Sequence, residues 1–143
     1  TLGAAPNADI FIATAAVADY TPVAVATQKL KKHSDSLTLA LKRTTDILAT
    51  VSRTYPQLFT VGFAAETHDL LTYARSKLEH KGVDMIAANS VAGGKAFDQA
   101  TNALEVVWRG GHCSLPEMDK TQLARQLLTL VAEQYIASGK RIR

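Results

Sequence analysis

Three short apolar runs constrain the fold of this chain more than any other feature. They occupy residues 10–12, 58–66 and 83–90, and each one ends in small or polar side chains. A strand with one wet face would alternate apolar and polar residues, whereas consecutive apolar residues suit strands that are covered on both faces. The runs therefore predict buried strands of a parallel sheet.

Two segments with helical periodicity lie between these runs. The first follows a capping residue, Thr44 or Thr45, and the second begins at Thr67 or Asp69 and closes at Gly82. Residues of these types mark helix ends. The order strand–helix–strand–helix–strand predicts right-handed crossovers and parallel neighbours. An alternating stretch at residues 37–43 predicts a further strand that is buried on one face.

The last third of the chain changes in style. Residues 103–108 and 112–115 flank a glycine turn at residues 109–111, which predicts a β-hairpin. A helix follows from about residue 120 to residue 137, where Asp119 and Gln122 can form a capping box. We therefore expect an α/β fold, with a Rossmann-like, mostly parallel sheet, helices on both faces, and a C-terminal β-hairpin and helix.

Composition excludes several classes of function. The 143 residues suit a single domain, and a net charge of +3 with 6% aromatic residues argues against a nucleic-acid partner. No apolar run is long enough to span a membrane. Cys113 is the single cysteine, which fits a reducing compartment such as the cytoplasm. The four histidines are scattered, so we expect no metal held by protein ligands alone.

The sequence has no nucleophile elbow and no glycine-rich phosphate loop, so basic residues are the remaining candidates for a functional role. A polar segment at residues 28–36, which we expect to be a flexible flap, contains Lys29, Lys31 and Lys32. Lys77 and Lys81 share one helix face. Any one of these lysines is more simply a solvated surface charge. Together, on elements expected to meet at one sheet edge, they suit a polyphosphate.

Asp19 follows the first strand at the edge where α/β sheets keep their chemistry. A solvated carboxylate is the plain interpretation of this residue. With Asp46 or Glu66 it could instead help to hold Mg²⁺, which usually takes one or two carboxylates together with phosphate oxygens.

Six sequence blocks occur in an order that is specific in combination. They are residues 9–20, 29–32, 45–48, 61–67, 73–81 and 87–89. Together they resemble phosphopantothenate–cysteine ligase, the ligase half of bacterial bifunctional coenzyme A biosynthesis proteins. The resemblance extends over nearly the whole chain, including the strand that begins near Asn102 and the final helix.

This resemblance implies a ligase that uses CTP and Mg²⁺, as the bacterial form does; ATP, which some relatives use, is the alternative nucleotide. The carboxylate of phosphopantothenate would attack the α-phosphate of CTP to give an acyl-cytidylate and pyrophosphate. The amine of cysteine would then attack the acyl carbon and release CMP. Because the substrates supply both nucleophiles, the protein needs to position them and to neutralise charge.

The resemblance also implies the residues of the site. Lys29 would be the catalytic lysine, and Ala15 and Ala16 would lie against phosphopantothenate. The family commonly has Pro where this chain has Thr45. Because Pro fixes its backbone angle at a value suited to the first turn of a helix, the backbone at Thr45 is less pre-organised for helix entry. The implied nucleotide contacts are Asp19, Lys29, Thr45, Asp46, Ile47, Leu48, Phe63, Lys77 and Lys81.

Parts of the family's domain have no counterpart in this sequence. The family's ligase begins before the equivalent of Thr1, with a βαβ portion that carries a glycine turn and an asparagine of the active site. We therefore expect residues 1–143 to form one partial nucleotide-binding domain whose isolated activity is impaired. The resemblance implies a parent chain with a flavin-dependent decarboxylase domain, no FMN in this chain, and a homodimer formed partly through residues 37–43.

Two alternatives remain open from the residues alone. One is a non-catalytic module that binds a nucleotide or dinucleotide, although the sequence lacks the GxGxxG fingerprint of dinucleotide binding. The other is a structural domain without a ligand, since a fold does not fix a function.

Overall fold

The three apolar runs form neighbouring parallel strands in the computed structural model, which describes residues 1–30, 35–92 and 99–140. The chain forms two compact units, one of residues 1–14 with 47–143 and one of Ala15–Asp46. In chain order the elements are β1 (Ile10–Ala13), β2 (Tyr20–Pro22), β3 (Leu41–Arg43), α1 (Ile47–Thr54), β4 (Phe59–Glu66), α2 (Leu70–Lys81), β5 (Met85–Ser90), β6 (Thr101–Trp108), β7 (Gly111–Asp119) and α3 (Lys120–Ala137).

The larger unit contains a five-stranded sheet in the order β1-β4-β5-β6-β7. The first three strands are parallel, and β6 and β7 add an antiparallel hairpin. These pairings confirm the predicted α/β fold with its C-terminal hairpin and helix. The hairpin strands are longer than predicted, because pairing continues from Asn102 and Met118 to Thr101 and Asp119 beyond an irregularity in the register.

Helices cover both faces of this sheet, as predicted. On one face, Leu123, Leu127, Val131 and Tyr135 of α3 pack against alternate residues of the strands, including Phe59 and Val61. On the other face, Ala74 and Leu78 of α2 pack with Ala64 and Ile86. Because successive strand residues point to opposite faces, one parallel sheet buries two apolar layers, and its interior strands contain few polar residues.

Gly62 sits where α1 crosses the sheet most closely. A Cβ atom at this position would lie 2.5 Å from Cδ2 of Leu48 and 2.8 Å from Cδ1 of Ile86. The Gly62→Ala variant is therefore expected to lose only about 1 kcal/mol of unfolding free energy, at the low end of overpacking costs, because the atoms that must move are terminal methyl groups of Leu48 and Ile86. Chemical denaturation measures this loss. Gly3→Ala, where a Cβ would meet nothing within 4 Å, is the matched control and should unfold like the wild type.

A network of hydrogen bonds and an ion pair stabilises the sheet at the amino-terminal ends of β4 and β5. The carboxylate of Asp84 accepts hydrogen bonds from the amide (2.7 Å) and hydroxyl (3.0 Å) of Thr60, which is almost fully buried. The ammonium of Lys140 lies 2.8 Å from the same carboxylate and donates to the carbonyl of Leu58 at 2.8 Å. Lys140, three residues beyond the end of α3, is thus tied to the residues that directly precede β4 and β5, which are far from it in sequence.

Tyr135 packs edge-on against Phe59 at 5.8 Å between ring centroids, and its hydroxyl is buried. Burial raises the pKa of this hydroxyl above its ordinary value of 10.0, and the negative charge of Asp9 raises it further. The unfolded chain loses this proton near pH 10 while the folded chain keeps it. The Tyr135 contribution to stability is therefore complete below pH 10 and lost as the pH rises through the folded pKa.

This linkage predicts that the free energy of unfolding decreases above about pH 10. The Tyr135→Phe variant should show a smaller decrease over the same pH range, because it has no hydroxyl to ionise. Urea unfolding between about pH 8 and pH 11 measures both slopes. A variant with the same alkaline slope as the wild type would contradict the assignment.

The smaller unit, Ala15–Asp46, is built on the antiparallel pair β2–β3. The hydroxyl of Thr44 donates to the carbonyl of Ala18 (2.6 Å), and its amide donates to the carbonyl of Asp19 (2.9 Å). The predicted strand over residues 37–43 is shorter than expected, and Leu37 and Leu39 are 70% and 56% exposed rather than buried on one face. Almost all described side chains of this unit are exposed, and its leucines at positions 37, 39 and 41 lie at the surface.

One prediction, the flexible flap at residues 28–36, falls partly outside the described residues. Residues 31–34 of the predicted flap are not among them, whereas residues 28–30 and 35–36 are described and are neither helix nor strand. Within the described part of the chain, no helix combines the length and the apolar character needed to cross a membrane.

Candidate functional site

Small and polar residues gather at the carboxyl-terminal edge of the parallel strands. β1 ends at Ala13, the last residues of β4 are Ala64, Ala65 and Glu66, and β5 ends at Asn89 and Ser90. The β4–β5 register places Ala65 opposite Asn89, and the carbonyl of Glu66 accepts the amide of Val91 at 2.9 Å. Parallel sheets bind ligands at this edge, because strand ends and helix starts meet there.

Phe63 lies near this edge on the face covered by α3. Its side chain is half-buried and packs beside the cluster that includes Val61 and Ala87. Ala65, two residues further along β4, points to the same face and is too small to cover the ring. The strand pattern thus leaves an aromatic surface beside a gap of small residues, which a flat ring could occupy.

Asn89 also belongs to this group: it ends the sequence block 87–89, although it is not among the site residues that the resemblance implies. Ala87 faces α3 and Ala88 faces α2, so alternation places Asn89 on the α3 face, diagonally beside Phe63. Its side chain is half-buried, and no hydrogen bond joins its carboxamide to the rest of the described chain. The signal in the sequence was a buried strand that ends in an amide.

The turn between β4 and α2 holds an ordered group of side chains. One ring nitrogen of His68 lies 2.9 Å from the hydroxyl of Thr67, and the other lies 3.4 Å from that of Tyr73. Asp69 adopts a left-handed backbone conformation (φ 47°), which is strained for a residue with a side chain. The turn therefore has one well-defined conformation at the edge of the candidate site.

Lys77 and Lys81 share a helix face as predicted, but they do not lie at the carboxyl-terminal edge. A crossover helix must return to the start of the next strand, and the 12 residues of α2 cover about 18 Å on that path. Lys81 is the last residue of α2, shortly before Asp84, whose amide bonds to the carbonyl of Thr60. The expectation that this pair converges on that edge is wrong for this reason.

The larger unit groups the remaining predicted residues by face. Ile47 and Leu48 begin α1, and Leu48 packs with Leu70 and Leu71 on the same side of the sheet as α2. Phe63 belongs to the opposite face. The structure therefore brings Ile47 and Leu48 onto the face of the two lysines and does not bring Phe63 to them.

The other predicted residues belong to the smaller unit and are exposed. Ala15 and Ala16 precede the turn that Thr44 fixes to Ala18 and Asp19, while Lys29 lies in a stretch without helix or strand. Thr45 and Asp46 end the unit. Exposed lysine and aspartate side chains are accessible to a charged ligand.

The described residues contain no group of three or more His, Cys, Asp or Glu side chains able to hold a metal ion. An open depression of about 410 Å³ lies between the end of β5 and the start of β6, lined by Ser90, Gln99, Thr101, Asn102, Ala103 and Glu117. The predicted site residues are not part of this lining.

Comparisons with known proteins bear out the resemblance seen in the sequence. Residues 1–135 match the family described as DNA/pantothenate metabolism flavoprotein C-terminal domain. The chain is 49% identical over 134 residues to the Coenzyme A biosynthesis bifunctional protein CoaBC of Vibrio cholerae. The aligned stretch covers 91% of this chain and 34% of that protein. The chain thus spans about a third of the length of the curated relatives it matches.

Solved structures agree with the fold. The crystal structure of the C-terminal domain of CoaBC aligns with a TM-score of 0.72 and 30% identity, covering 96% of this chain and 59% of that one. The DNA/pantothenate metabolism flavoprotein from Streptococcus pneumoniae aligns with a TM-score of 0.65 and 23% identity, covering 89% of this chain and 61% of that one, and this likeness concerns the fold alone.

Proposed function

The chain belongs to the DNA/pantothenate metabolism flavoprotein C-terminal domain family, and we propose that it forms part of a phosphopantothenate–cysteine ligase of coenzyme A biosynthesis. The observation that carries this proposal is the family match over residues 1–135, together with 49% identity to a coenzyme A biosynthesis protein. The proposed enzyme works in the cytoplasm, within a longer protein that also has a flavin-dependent decarboxylase domain.

The proposed reaction has two steps. A carboxylate oxygen of phosphopantothenate attacks the α-phosphorus of CTP, and pyrophosphate leaves with the electrons of the broken phosphoanhydride bond. The cysteine amine then attacks the acyl carbon, loses a proton, and expels CMP with one of the original carboxylate oxygens. Neither step requires a nucleophile from the protein, which suits a site made of lysines, small residues and amides.

Lys29 is the proposed catalytic residue. Its ammonium would sit against the phosphates of CTP and offset the negative charge that builds up on them as the α-phosphorus is attacked. Lys77 and Lys81, which the resemblance also implies as nucleotide contacts, lie away from the edge where the base is proposed to bind and would contribute only longer-range positive charge. Mg²⁺ would enter with CTP as its phosphate complex. Asp19 and the segment 45–48 are proposed nucleotide contacts, and Ala15 and Ala16 are proposed contacts of phosphopantothenate.

Phe63 and Asn89 are proposed to receive the base. The ring of Phe63 offers a flat apolar surface, and the neighbouring carboxamide of Asn89 has both a donor and an acceptor to offer. A cytosine edge presents a matching amino group and ring nitrogen. A ligand could supply hydrogen bonds to this half-buried amide, for which the described residues show no partner.

The proposed assembly is a homodimer formed through the smaller unit. Val25, Leu37, Leu39 and Leu41 are each more than half exposed there, which is costly for aliphatic side chains of one short segment. A second copy would cover such a surface. The mass of the particle in solution, measured by light scattering, tests this part of the proposal.

Nucleotide titration tests the proposed function against its alternatives. A suitable protein is the V. cholerae CoaBC protein in which this chain replaces the 134 matched residues, called the CoaBC chimera below. CTP with Mg²⁺ is expected to raise its melting temperature by several degrees at about 100 times Kd. A shift with NADPH alone would favour the dinucleotide-binding module, and the absence of any shift would favour a structural domain.

Asn89→Ala should reduce the CTP-induced shift if the amide reads the base. Asn102→Ala is the matched control, because the Asn102 carboxamide already accepts the amide of Ala103 at 2.9 Å. Equal shifts in the wild type and Asn89→Ala would remove Asn89 from the site.

A further inference from the structure

The second step of the proposed reaction leaves one proton without an acceptor. As the neutral amine of cysteine attacks the acyl carbon and the C–N bond forms, the bond to the phosphate oxygen breaks and its electrons leave with CMP. The attacking nitrogen must lose a proton to become an amide nitrogen. The lysines proposed for the site are already protonated and cannot accept it. A side chain placed to take this proton contributes about 100- to 10,000-fold to the rate of such a step.

Among the described histidines, His68 is the one at the carboxyl-terminal edge of the parallel strands. It follows Glu66, the last residue of β4, and precedes α2. His80 lies near the end of α2, and His112 lies near the start of β7, where the register of β5 with β6 places the hairpin turn at the amino-terminal end of β5. An imidazole is the side chain best suited to exchange a proton near neutral pH, so His68 is the candidate base at this edge.

Two hydroxyls contact the imidazole of His68. Its Nδ1 lies 2.9 Å from the hydroxyl of Thr67, and its Nε2 lies 3.4 Å from the hydroxyl of Tyr73. The tautomer with its hydrogen on Nδ1 donates to Thr67 and leaves Nε2 as the nitrogen that accepts a proton. Because 3.4 Å is longer than an ordinary hydrogen bond, a substrate amine can replace the Tyr73 hydroxyl at Nε2 at little cost.

The turn around His68 orients the imidazole ring. The ring of Tyr73 packs edge-on against it, with 5.4 Å between centroids and an interplanar angle of 89°. Asp69 has a left-handed backbone conformation between His68 and α2, a strained geometry of the kind that clusters at functional sites. His68 is exposed, so a substrate can reach it. The ring is thus both oriented and accessible, as a general base must be.

The position of His68 also fits the proposed place of the cytosine. Phe63 lies three residues before the end of β4, which is about 10 Å along the strand, and the turn that contains His68 follows. A nucleotide whose cytosine lies at Phe63 can approach this turn with its sugar and its α-phosphate, to which the acyl group is attached. Glu66 and Asp69 are the carboxylates next to His68 in sequence, and a carboxylate is a weaker base than an imidazole.

We propose that Nε2 of His68 is the general base of amide formation, which accepts the proton of the cysteine amine as the C–N bond forms and then releases it to solvent. Thr67 is the positioning residue that selects the tautomer. This inference rests on the proposed function, because it concerns the second step of that reaction. His68 has no part in the first step, in which a carboxylate attacks and no proton needs to be removed.

Rapid-quench single turnovers of the CoaBC chimera separate the two steps. Pyrophosphate reports activation, and CMP together with the amide product reports the second step. In His68→Ala, pyrophosphate should form in the first turnover at the unmodified rate, while amide formation slows about 100-fold and the acyl-cytidylate accumulates. The melting temperature should not change, because the side chain of His68 is exposed.

Added imidazole provides a readout that a merely structural role would not give. Imidazole at about 0.1 M should raise amide formation by His68→Ala at least about tenfold, because the free base can occupy the space of the missing ring. Thr67→Val should slow amide formation without responding to imidazole, because His68 still occupies that space. His112→Ala is the matched control, an exposed histidine at the other end of the sheet, and should keep both rates with or without imidazole.

Failure of this inference can be distinguished from failure of the proposed function. If the unmodified chimera forms no pyrophosphate from CTP and phosphopantothenate, the proposed function is contradicted, and the role of His68 with it. Normal amide formation by His68→Ala, or an equal loss of pyrophosphate and amide, would overturn the role of His68 alone.

Discussion

Replacing Lys29 by Gln in the CoaBC chimera is expected to lower kcat for phosphopantothenoylcysteine formation by about 100- to 1000-fold. The side chain is exposed and belongs to no helix or strand, so its removal leaves no buried group unpaired. The loss would arise in the transition state, where the ammonium offsets charge that develops on the phosphates. Release of CMP at saturating substrate concentrations measures kcat.

Lys120→Gln is the matched control for this substitution. Lys120 is an exposed lysine at the start of α3, and no contact with substrate is proposed for it. Its kcat should equal that of the unmodified chimera, and both variants should have an unchanged melting temperature. A near-normal kcat for Lys29→Gln would remove Lys29 from its catalytic role.

Replacing Asp84 by Ala is expected to lower the free energy of unfolding by about 2–4 kcal/mol. The carboxylate of Asp84 is the acceptor for the amide and hydroxyl of Thr60, which is 1% exposed, and the partner of Lys140. The variant therefore leaves a buried amide, a buried hydroxyl and an ammonium without their acceptor. Chemical denaturation of the isolated chain measures the change.

Lys140→Met separates the ion pair from the buried hydrogen bonds. Lys140 and Asp84 are both about one-fifth exposed, so solvent screens their attraction, and we expect this variant to lose only about 1 kcal/mol. Asp84 keeps both bonds to Thr60 in that variant. Equal losses for Lys140→Met and Asp84→Ala would show that the ion pair, and not the Thr60 bonds, stabilises this edge.

The parallel core of the fold could be predicted because its signal is local. Consecutive apolar residues in three runs, separated by capped helical segments, permit few arrangements other than a parallel sheet with crossovers. Gly82 ends α2 with a left-handed backbone conformation, and Asp119 caps α3 through the amides of Thr121 and Gln122. These signals depend on residues a few positions apart, which the sequence shows directly.

The predicted position of Lys77 and Lys81 is wrong because it does not take into account the direction in which their helix, α2, runs along the sheet. Their helix follows the strand that ends at the candidate site, but a crossover helix runs back along the sheet, so its last residues lie far from that strand end. The spacing of the two lysines gave their shared face correctly. It contains no information on which edge of the sheet they approach.

Long-range contacts account for what the sequence could not show. Lys140 meets Asp84 across 56 positions and Leu58 across 82, and nothing local links these residues. Likewise, Asn89 becomes a candidate site residue only because the β4–β5 register places it beside Phe63. Residues 37–43 alternate apolar and polar side chains, a pattern that normally indicates a strand with one buried face. Leu37 and Leu39 are exposed nevertheless, because no packed layer among the described residues of the smaller unit covers them.

Isotope transfer in the CoaBC chimera tests the proposed chemistry most directly. Phosphopantothenate labelled with ¹⁸O in both carboxylate oxygens would be incubated with cysteine, CTP and Mg²⁺, and the products analysed by mass spectrometry. Activation as an acyl-cytidylate predicts one ¹⁸O atom in CMP, one in the new amide, and none in pyrophosphate. Label in inorganic phosphate with formation of CDP, or amide formation that does not consume CTP, would contradict the proposed function.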